Sequence, residues 1–464
     1  MRTIYPALSV YLPANLVLSE LKDINQRWVE KYLWLIHTIV FKQITRRDNF
    51  NNYVNLKSEL LKKYLGDKYY KKIIITLLKN KVIEVTKTKD GRESYGVGHH
   101  SKSYRLTKQY QEAPKVSAEI TKQSYCRKIA LFNKEYLEEL LKDAITKKEF
   151  RELTGVRIKT NEALDFIASN RDYSPEQKEA IKLQVYEVAK LKNVRTEGGT
   201  VQNAIFTFKK DRAGRLHTPL TNLASDIRNK FIYFSYEEEE ELIEVDMPNS
   251  QQIFFCSKHL KNQDKKMHHI GSSPLVRNPY IERPTGERQK ANLSRLAALS
   301  GQEDNLPYVV HFSNDIEAFK YFCFNGKIYD VMMQLMETKL TRKQFKTYYF
   351  KNLWYNSVGT KKNPKTKFSK IEVLFAQYFP NVYDILYGLK INIGNREFCI
   401  GLQREESSFF HRLIVPNIGV NTPFFIVHDA IFTTAKHALE LNRLFEDACI
   451  QTFGSSVNFK IALL

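Results

Sequence analysis

Cysteine is scarce in this sequence. Its five copies (Cys126, Cys256, Cys323, Cys399, Cys449) are scattered over 464 residues and form no C-x-x-C pair. That spacing argues against a disulfide framework and a cysteine-held zinc site, and predicts a reducing, cytoplasmic setting. Long apolar runs are also missing. None approaches the ~20 residues that span a bilayer, so no membrane partner is expected. Met1-Arg2 and the mixed segment after it, with Pro6 and Pro13, lack the pattern of a signal peptide. Acidic residues are in deficit, with 51 Asp and Glu against 72 Lys and Arg, leaving a formal charge of +21. Such an excess attracts polyanions. Lys and Arg neutralise phosphates, and the 29 Phe and 26 Tyr can stack on bases, so nucleic acid is the expected partner. The length predicts two to four domains, and a hydrophobic content of 43% supports ordinary globular cores.

Apolar residues recur at helical spacing through Trp28, Tyr32, Leu35, Ile36, Ile39 and Val40, which predicts one long helix over 19–45. A short amphipathic helix over 54–64 follows, then a Gly66-Asp67 turn with Asp67 as N-cap, and a Lys- and Ile-rich helix over 69–80. Strands are expected at 82–88 and 103–106, joined by a Lys89-Asp90-Gly91 turn. Helix, turn, helix and a two-stranded wing resemble a winged helix-turn-helix domain, here residues 1–110. The resemblance implies that the second helix, with Lys71 and Lys72, enters the major groove. The wing, with Arg92, Lys102 and Arg105, would touch the DNA backbone; a winged helix that binds protein is the alternative. His99-His100 reads as a solvated wing tip. Residues 107–125 read as a linker. Residues 128–192 read as helical, broken at Gly155 and at Ser174-Pro175, where Ser174 with Gln177 is a helix-entry signature; Glu-Gly-Gly-Thr at 197–200 closes the segment.

The chain is organised around Leu242-Ile243-Glu244-Val245-Asp246-Met247-Pro248-Asn249-Ser250-Gln251. An apolar run with a β-branched core ends in one aspartate, and a strand holds that carboxylate at a fixed height. A second such place is Phe424-Phe425-Ile426-Val427-His428-Asp429. As neighbours in one sheet, Asp246 and Asp429 can share divalent cations, and two ions roughly 3.5–4 Å apart stabilise the attacking and leaving oxygens of a phosphoryl transfer. Upstream, a strand over 206–210 runs into Asp211-Arg212-Ala213-Gly214-Arg215-Leu216. Glycine lets such a turn approach other backbone, and Arg215 suits bidentate phosphate contact. The acidic run 237–241 reads as a solvated loop, and 259–310, with His268-His269, as an irregular insertion.

Residues 316–338 return to helix, broken near Asn325-Gly326. On a continuous helix over 341–355, Arg342, Lys346, Phe350 and Trp354 are successive i, i+4 neighbours and form one stripe. Two cations followed by two aromatic rings suit a nucleoside triphosphate, the cations on phosphates and the rings on base and sugar. A surface helix with its lower half buried is the plainer alternative. A helix from Leu402-Gln403 runs on through Leu413; another closes 438–452, before an apolar strand at 457–464.

In this order, the landmarks resemble the polymerase domain of family A DNA polymerases and the related phage-type single-subunit RNA polymerases, over about residues 201–464. Gly214-Arg215-Leu216 with Thr221-Asn222-Leu223 resembles T-G-R-L-x-x-x-x-P-N-L, and Asp246 to Gln251 resembles motif A, D-Y-S-Q-I-E. Arg342, Lys346 and Phe350 match motif B, R-x-x-x-K-x-x-x-F. Gln403 resembles the glutamine of the helix leading to motif C, and Val427-His428-Asp429 matches motif C, V-H-D-E. The resemblance implies an α+β fold: a right-hand polymerase palm on an antiparallel sheet, helical fingers over roughly 255–400, and a linker with a helical thumb-like region at 111–200.

It implies that Asp246 and Asp429 bind two Mg²⁺ ions, and that Lys346 and Arg342 hold the triphosphate as pyrophosphate leaves. Phe350, with Trp354 and Tyr355, would face the nucleotide; Arg215, Gln251, Gln403 and His428 would face the nucleic acid. The implied activity is template-directed nucleotidyl transfer by a small DNA polymerase of a mobile element. Its partners would be DNA template and primer, with RNA the alternative, and nucleoside triphosphates. Several positions depart from the pattern. Motif A holds two extra residues before Ser250-Gln251, Ile253 takes the place of the glutamate that excludes ribonucleotides, Trp354-Tyr355 replaces Tyr-Gly, and Ala430 follows Asp429. These departures keep two alternatives open: an RNA polymerase or primase on the same scaffold, and a non-catalytic DNA-binding replication initiator.

Overall fold

The computed structural model describes residues 5, 7–44, 53–87, 102–193, 195–197, 200–202, 208–237, 240–260, 278, 280–282, 284, 286–301, 310–359 and 365–464. The chain folds into two compact units, residues 1–209 with 217–240 and residues 210–216 with 241–464. Helices are joined by small antiparallel sheets in both, an α+β composition.

The first unit opens with β1 (Leu8–Pro13), α1 (Val29–Ile44), β2 (Val54–Asn55), α2 (Ser58–Leu65), α3 (Tyr70–Lys79), β3 (Ile83–Val85), β4 (Ser103–Leu106) and β5 (Lys115–Ile120). β4 lies between β2 and β3 in a three-stranded sheet, and β1 pairs with β5. Tyr32, Leu35, Ile36 and Ile39 of α1 share one core with Leu61, Leu65, Ile73, Leu77 and Leu106. Helical spacing that buries Ile73 and Leu77 leaves Lys71 and Lys72 of α3 exposed.

Four local expectations change here. α1 begins only at Val29, because 3₁₀ turns at Leu18–Glu20 and Gln26–Trp28 precede it, and Asn25 caps the second by accepting from Arg27 N at 2.9 Å. Residues 54–55 are strand rather than helix, since Val54 pairs with Tyr104 and buries its branched side chain. Asp67 does not cap α3, whose N-cap is Tyr69; its carboxylate pairs with Lys62 at 3.1 Å. The expected linker contains β5, whose six residues pair with all of β1, so strand pairing overrides its polar composition. The Lys89-Asp90-Gly91 turn, Arg92 and His99-His100 lie outside the described residues.

The unit continues through α4 (Gln123–Leu140), α5 (Ala144–Gly155), β6 (Val156–Ile158), α6 (Thr160–Ser169) and α7 (Pro175–Ala189) to β7 (Ile232–Phe234), which pairs with β6. Ser174 and Gln177 form a complete capping box on α7.

The second unit contains β8 (Leu242–Asp246), α8 (Ser250–Phe255), α9 (Gly286–Gly301), α10 (Asp315–Phe324), α11 (Ile328–Met336), α12 (Arg342–Tyr349), α13 (Lys370–Tyr378), α14 (Pro380–Ile393) and α15 (Asn395–Phe409). β9 (Phe425–Val427), β10 (Ala430–Thr434), α16 (Ala438–Phe453) and β11 (Lys460–Leu463) complete it. The four strands form one antiparallel sheet in the order β9-β10-β8-β11. Among the helices Phe319, Phe345, Tyr349, Phe375 and Phe379 make an aromatic core. The expected irregular insertion includes the helix α9, hidden in the sequence because its interior is mostly polar and only Leu296, Ala297 and Ser300 are buried. Residues 261–277, with His268-His269, lie outside the described residues. Asp315 anchors the start of α14, accepting from Asn381 N at 2.9 Å, Asn381 Nδ2 at 2.6 Å and Val382 N at 3.3 Å. α8, α12 and α15 each run into a π-helical turn, at Cys256–Leu260, Phe350–Trp354 and Phe410–Ile414.

Candidate catalytic site

β8 delivers Asp246 at its last position, opposite Ala430 at the start of β10. β9 and β10 form a hairpin whose two-residue turn is His428-Asp429, with Val427 opposite Ala430. The second carboxylate therefore sits in the turn, one residue from the partner of Asp246. Met247 N donates to Asp429 O at 3.1 Å and ties the two aspartate-bearing segments through their backbones. Asn249, just before α8, and His428 both have φ near +59°. Non-glycine residues held there are uncommon and cluster at functional sites.

Burial, and then the negative charge of Asp429, push the Asp246 carboxyl up to about 7; Lys346 and Lys460 act in the opposite sense. Two carboxylates at this range repel unless a proton or a cation lies between them. A third acid completes the cluster. Glu406, on α15, is buried and pushed up to about 7, first by burial and then by Asp429. Its Oε1 pairs with the Arg215 guanidinium, and its Oε2 accepts from Ser250 Oγ at 2.7 Å. The same Ser250 Oγ lies 3.2 Å from Asp429 Oδ2. Arg215 reaches Glu406 because Gly214 has φ +84° and a Cβ there would come within 3.2 Å of Ser407 Oγ on α15.

α12 supplies the cations. Arg342 Nε donates to both oxygens of Asp330, at 2.9 and 3.3 Å, and its Nη2 donates to Gly326 O at 3.1 Å. Arg342 and Lys346 stand over the Tyr329 ring, 5.7 and 5.9 Å from its centre. Tyr329 OH is fixed by Gln252 Nε2 at 3.2 Å. Phe350 is half-buried, 5.2 Å from the exposed Tyr355 ring. Tyr355 OH donates to Gln251 Oε1 at 3.0 Å, and the Gln403 side chain also reaches Tyr355.

One second-unit residue leaves the expected cluster. The stripe Arg342, Lys346, Phe350, Trp354 assumes a continuous α-helix, and the π turn from Phe350 breaks that register. Trp354 is carried into the core, stacked on Phe398 and edge-on to Phe255. In the first unit, Lys71 and Lys72 are exposed on α3, while Arg105 pairs with Glu84 and lies 4.5 Å over the Tyr53 ring. Sequence reasoning missed Glu406, Ser250, Tyr329 and Asp330 as participants. For Glu406 a signal existed: it lies three residues after Gln403, on the same helical face.

Among the described residues, no group of three or more His, Cys, Asp or Glu side chains is placed to hold a metal ion by itself. Asp246 and Asp429 offer hard oxygen donors, and Mg²⁺ is commonly held by one or two carboxylates with phosphate oxygens and water completing its octahedron. Burial and then repulsion from Asp429 raise Asp246, and a bound cation offsets both, so this donor set fits Mg²⁺.

No protein-family profile matches this chain, and no curated protein matches it. Among solved structures to which it is similar is the POL domain of Pol1 from M. smegmatis, in complex with DNA primer-template and dNTP. The two share 11% identity over 73% of this chain and 72% of that one, with a TM-score of 0.29. A likeness this loose carries no weight for the chemistry of the site. No helix among the described residues is long and apolar enough to cross a membrane.

Proposed function

We propose that this protein is a template-directed nucleotidyltransferase, a small Mg²⁺-dependent DNA polymerase of a mobile element. The observation that carries this reading is the sheet register. Asp246 lies opposite Ala430 with Met247 bonded to Asp429, and Lys346 is in electrostatic reach of Asp246. Asp246 and Asp429 would hold the metal. When bound, two Mg²⁺ ions supply Lewis-acid stabilisation of the attacking and leaving oxygens.

The chain's own residues do the rest. Lys346 and Arg342 both stand over the Tyr329 ring, so their charges are gathered at one place, where a triphosphate would be held. Lys346 offsets the charge that develops on departing pyrophosphate. Phe350 and Tyr355 offer ring faces to sugar and base, and Gln251 orients the Tyr355 hydroxyl. Gln403 reaches Tyr355 and His428 precedes Asp429 in the hairpin turn, and both would meet the primer–template. In the first unit, the order α1-β2-α2-α3-β3-β4, with Lys71 and Lys72 exposed, supports a winged-helix module that binds duplex DNA.

The test is extension of a labelled primer with Mg²⁺, offering dNTPs and NTPs on DNA and RNA templates. Extension with dNTPs is expected on DNA, lost in Asp246→Asn and Asp429→Asn while DNA binding is retained. RNA made without a primer would move the reading to an RNA polymerase or primase. DNA binding with no synthesis under any of these conditions would sink it.

A further inference from the structure

The hairpin brings only one carboxylate to the site, because Ala430 follows Asp429. The third acid arrives from a separate helix, and both of its oxygens are held. Oε1 of Glu406 is claimed by Arg215 from the 211–216 turn, and Oε2 by Ser250 from the first turn of α8. A buried carboxylate held from two sides keeps one orientation. Ser250 Oγ carries one proton but faces two carboxylates, Glu406 at 2.7 Å and Asp429 at 3.2 Å. The hydrogen is shared unequally: the shorter contact takes most of it, and Asp429 Oδ2 receives only a weak bond. That bond orients the Asp429 carboxylate and leaves lone pairs open to a cation. With Glu406 removed, the hydroxyl turns to Asp429 and occupies that oxygen.

We propose that Glu406 is a positioning residue: through Ser250, and with Arg215 as its counter-charge, it keeps the Asp429 carboxylate oriented and free to ligate a divalent cation. This rests on the assignment of Asp429 as a metal ligand under the proposed function. The close seat of Gly214 against Ser407 gives independent support, since it fixes the backbone that presents Arg215 to Glu406.

The experiment uses the full chain without nucleotide or DNA and measures Mn²⁺ binding from the EPR signal of free Mn²⁺. Asp429→Asn is expected to abolish the tight site. Glu406→Gln and Ser250→Ala are each expected to weaken Mn²⁺ roughly 10-fold or more, the usual effect of removing a group that orients a metal ligand. Ser250→Thr, which keeps the hydroxyl, should restore binding close to wild type. In primer extension, Glu406→Gln should raise the Mg²⁺ needed for half-maximal rate and lower kcat, with KM for dNTP unchanged because Arg342 and Lys346 are untouched.

Mn²⁺ binding at wild-type strength in both Glu406→Gln and Ser250→Ala, with Asp429→Asn defective, overturns the proposal. Should Glu406→Gln fail to fold by circular dichroism, Ser250→Ala and Ser250→Thr decide alone. Weakened Mn²⁺ binding in a protein that extends no primer would uphold the role of Glu406 and refute the polymerase reading. Unchanged Mn²⁺ binding in Asp429→Asn would refute both.

Discussion

Replacing Asp246 with asparagine should abolish synthesis and yet stabilise the metal-free protein. The folded state holds the Asp246 proton up to about pH 7, against an ordinary value of 3.8. A carboxyl raised in this way makes the folded state bind more protons than the unfolded chain, so stability falls as pH climbs from about 4 to 7. Above that window the full penalty stands. At ~1.4 kcal/mol per pH unit, the interval from 3.8 to about 7 corresponds to about 4 kcal/mol. Asparagine cannot ionise and escapes it. For a unit of this size, each kcal/mol moves the melting point by roughly 2–4 °C, so the variant should melt up to about 8–16 °C higher at pH 8 in EDTA. The assay is differential scanning calorimetry at pH 8 and pH 4, with EDTA or Mg²⁺. The gap should close at pH 4, where wild-type Asp246 is protonated. It should narrow at pH 8 with Mg²⁺, which stabilises only the protein that binds it. A variant that melts at or below wild type at pH 8 in EDTA would refute the electrostatic account of the site.

Asp315→Ala strips the acceptor from three donors at the start of α14, and urea unfolding should show a loss of about 2–4 kcal/mol. Gly214→Ala puts a side chain at φ +84° and against Ser407; it should cost about 1–2 kcal/mol in stability and disturb the Arg215–Glu406 pair, visible as weaker Mn²⁺ binding. Lys71→Ala with Lys72→Ala should weaken DNA binding evenly across sequences and flatten its log–log salt dependence by about 2, leaving Mn²⁺ binding unchanged.

The two aspartates were legible because each ends a short apolar run with branched side chains, and such runs become buried strands. That Asp429 occupies a hairpin turn was not, since a two-residue turn interrupts apolar periodicity too briefly to register. Glu406 escaped notice for a different reason. A Glu-Glu pair on a helix ordinarily faces water; the place of Glu406 three residues after Gln403 marks the helical face, but not that Arg215, 191 positions away, will neutralise it. Trp354 was misplaced because counting i, i+4 assumes a uniform helix, and a π turn leaves no compositional mark. β5 and α9 hid in polar stretches for a shared reason: each buries too few apolar residues to show a period, and partners distant in sequence decide its state. The core of α1, α2 and α3 was readable because apolar spacing alone determines which face packs.

The three widened helical turns have a consequence for how this molecule tolerates length change. Each accommodates one residue beyond a regular α repeat, and each trails a segment bearing Ser250, Lys346 or Glu406. Deleting a single residue within 350–354 would let ordinary i to i−4 bonding resume and leave the segment beyond it near its present phase, because the widened turn already absorbs the extra residue. Inserting one residue there has no such slack and would rotate everything beyond it by about 100° around the axis, swinging Tyr355 away from Gln251. Single-codon insertions across that turn, more than deletions, should therefore reveal how narrowly the pocket is phased.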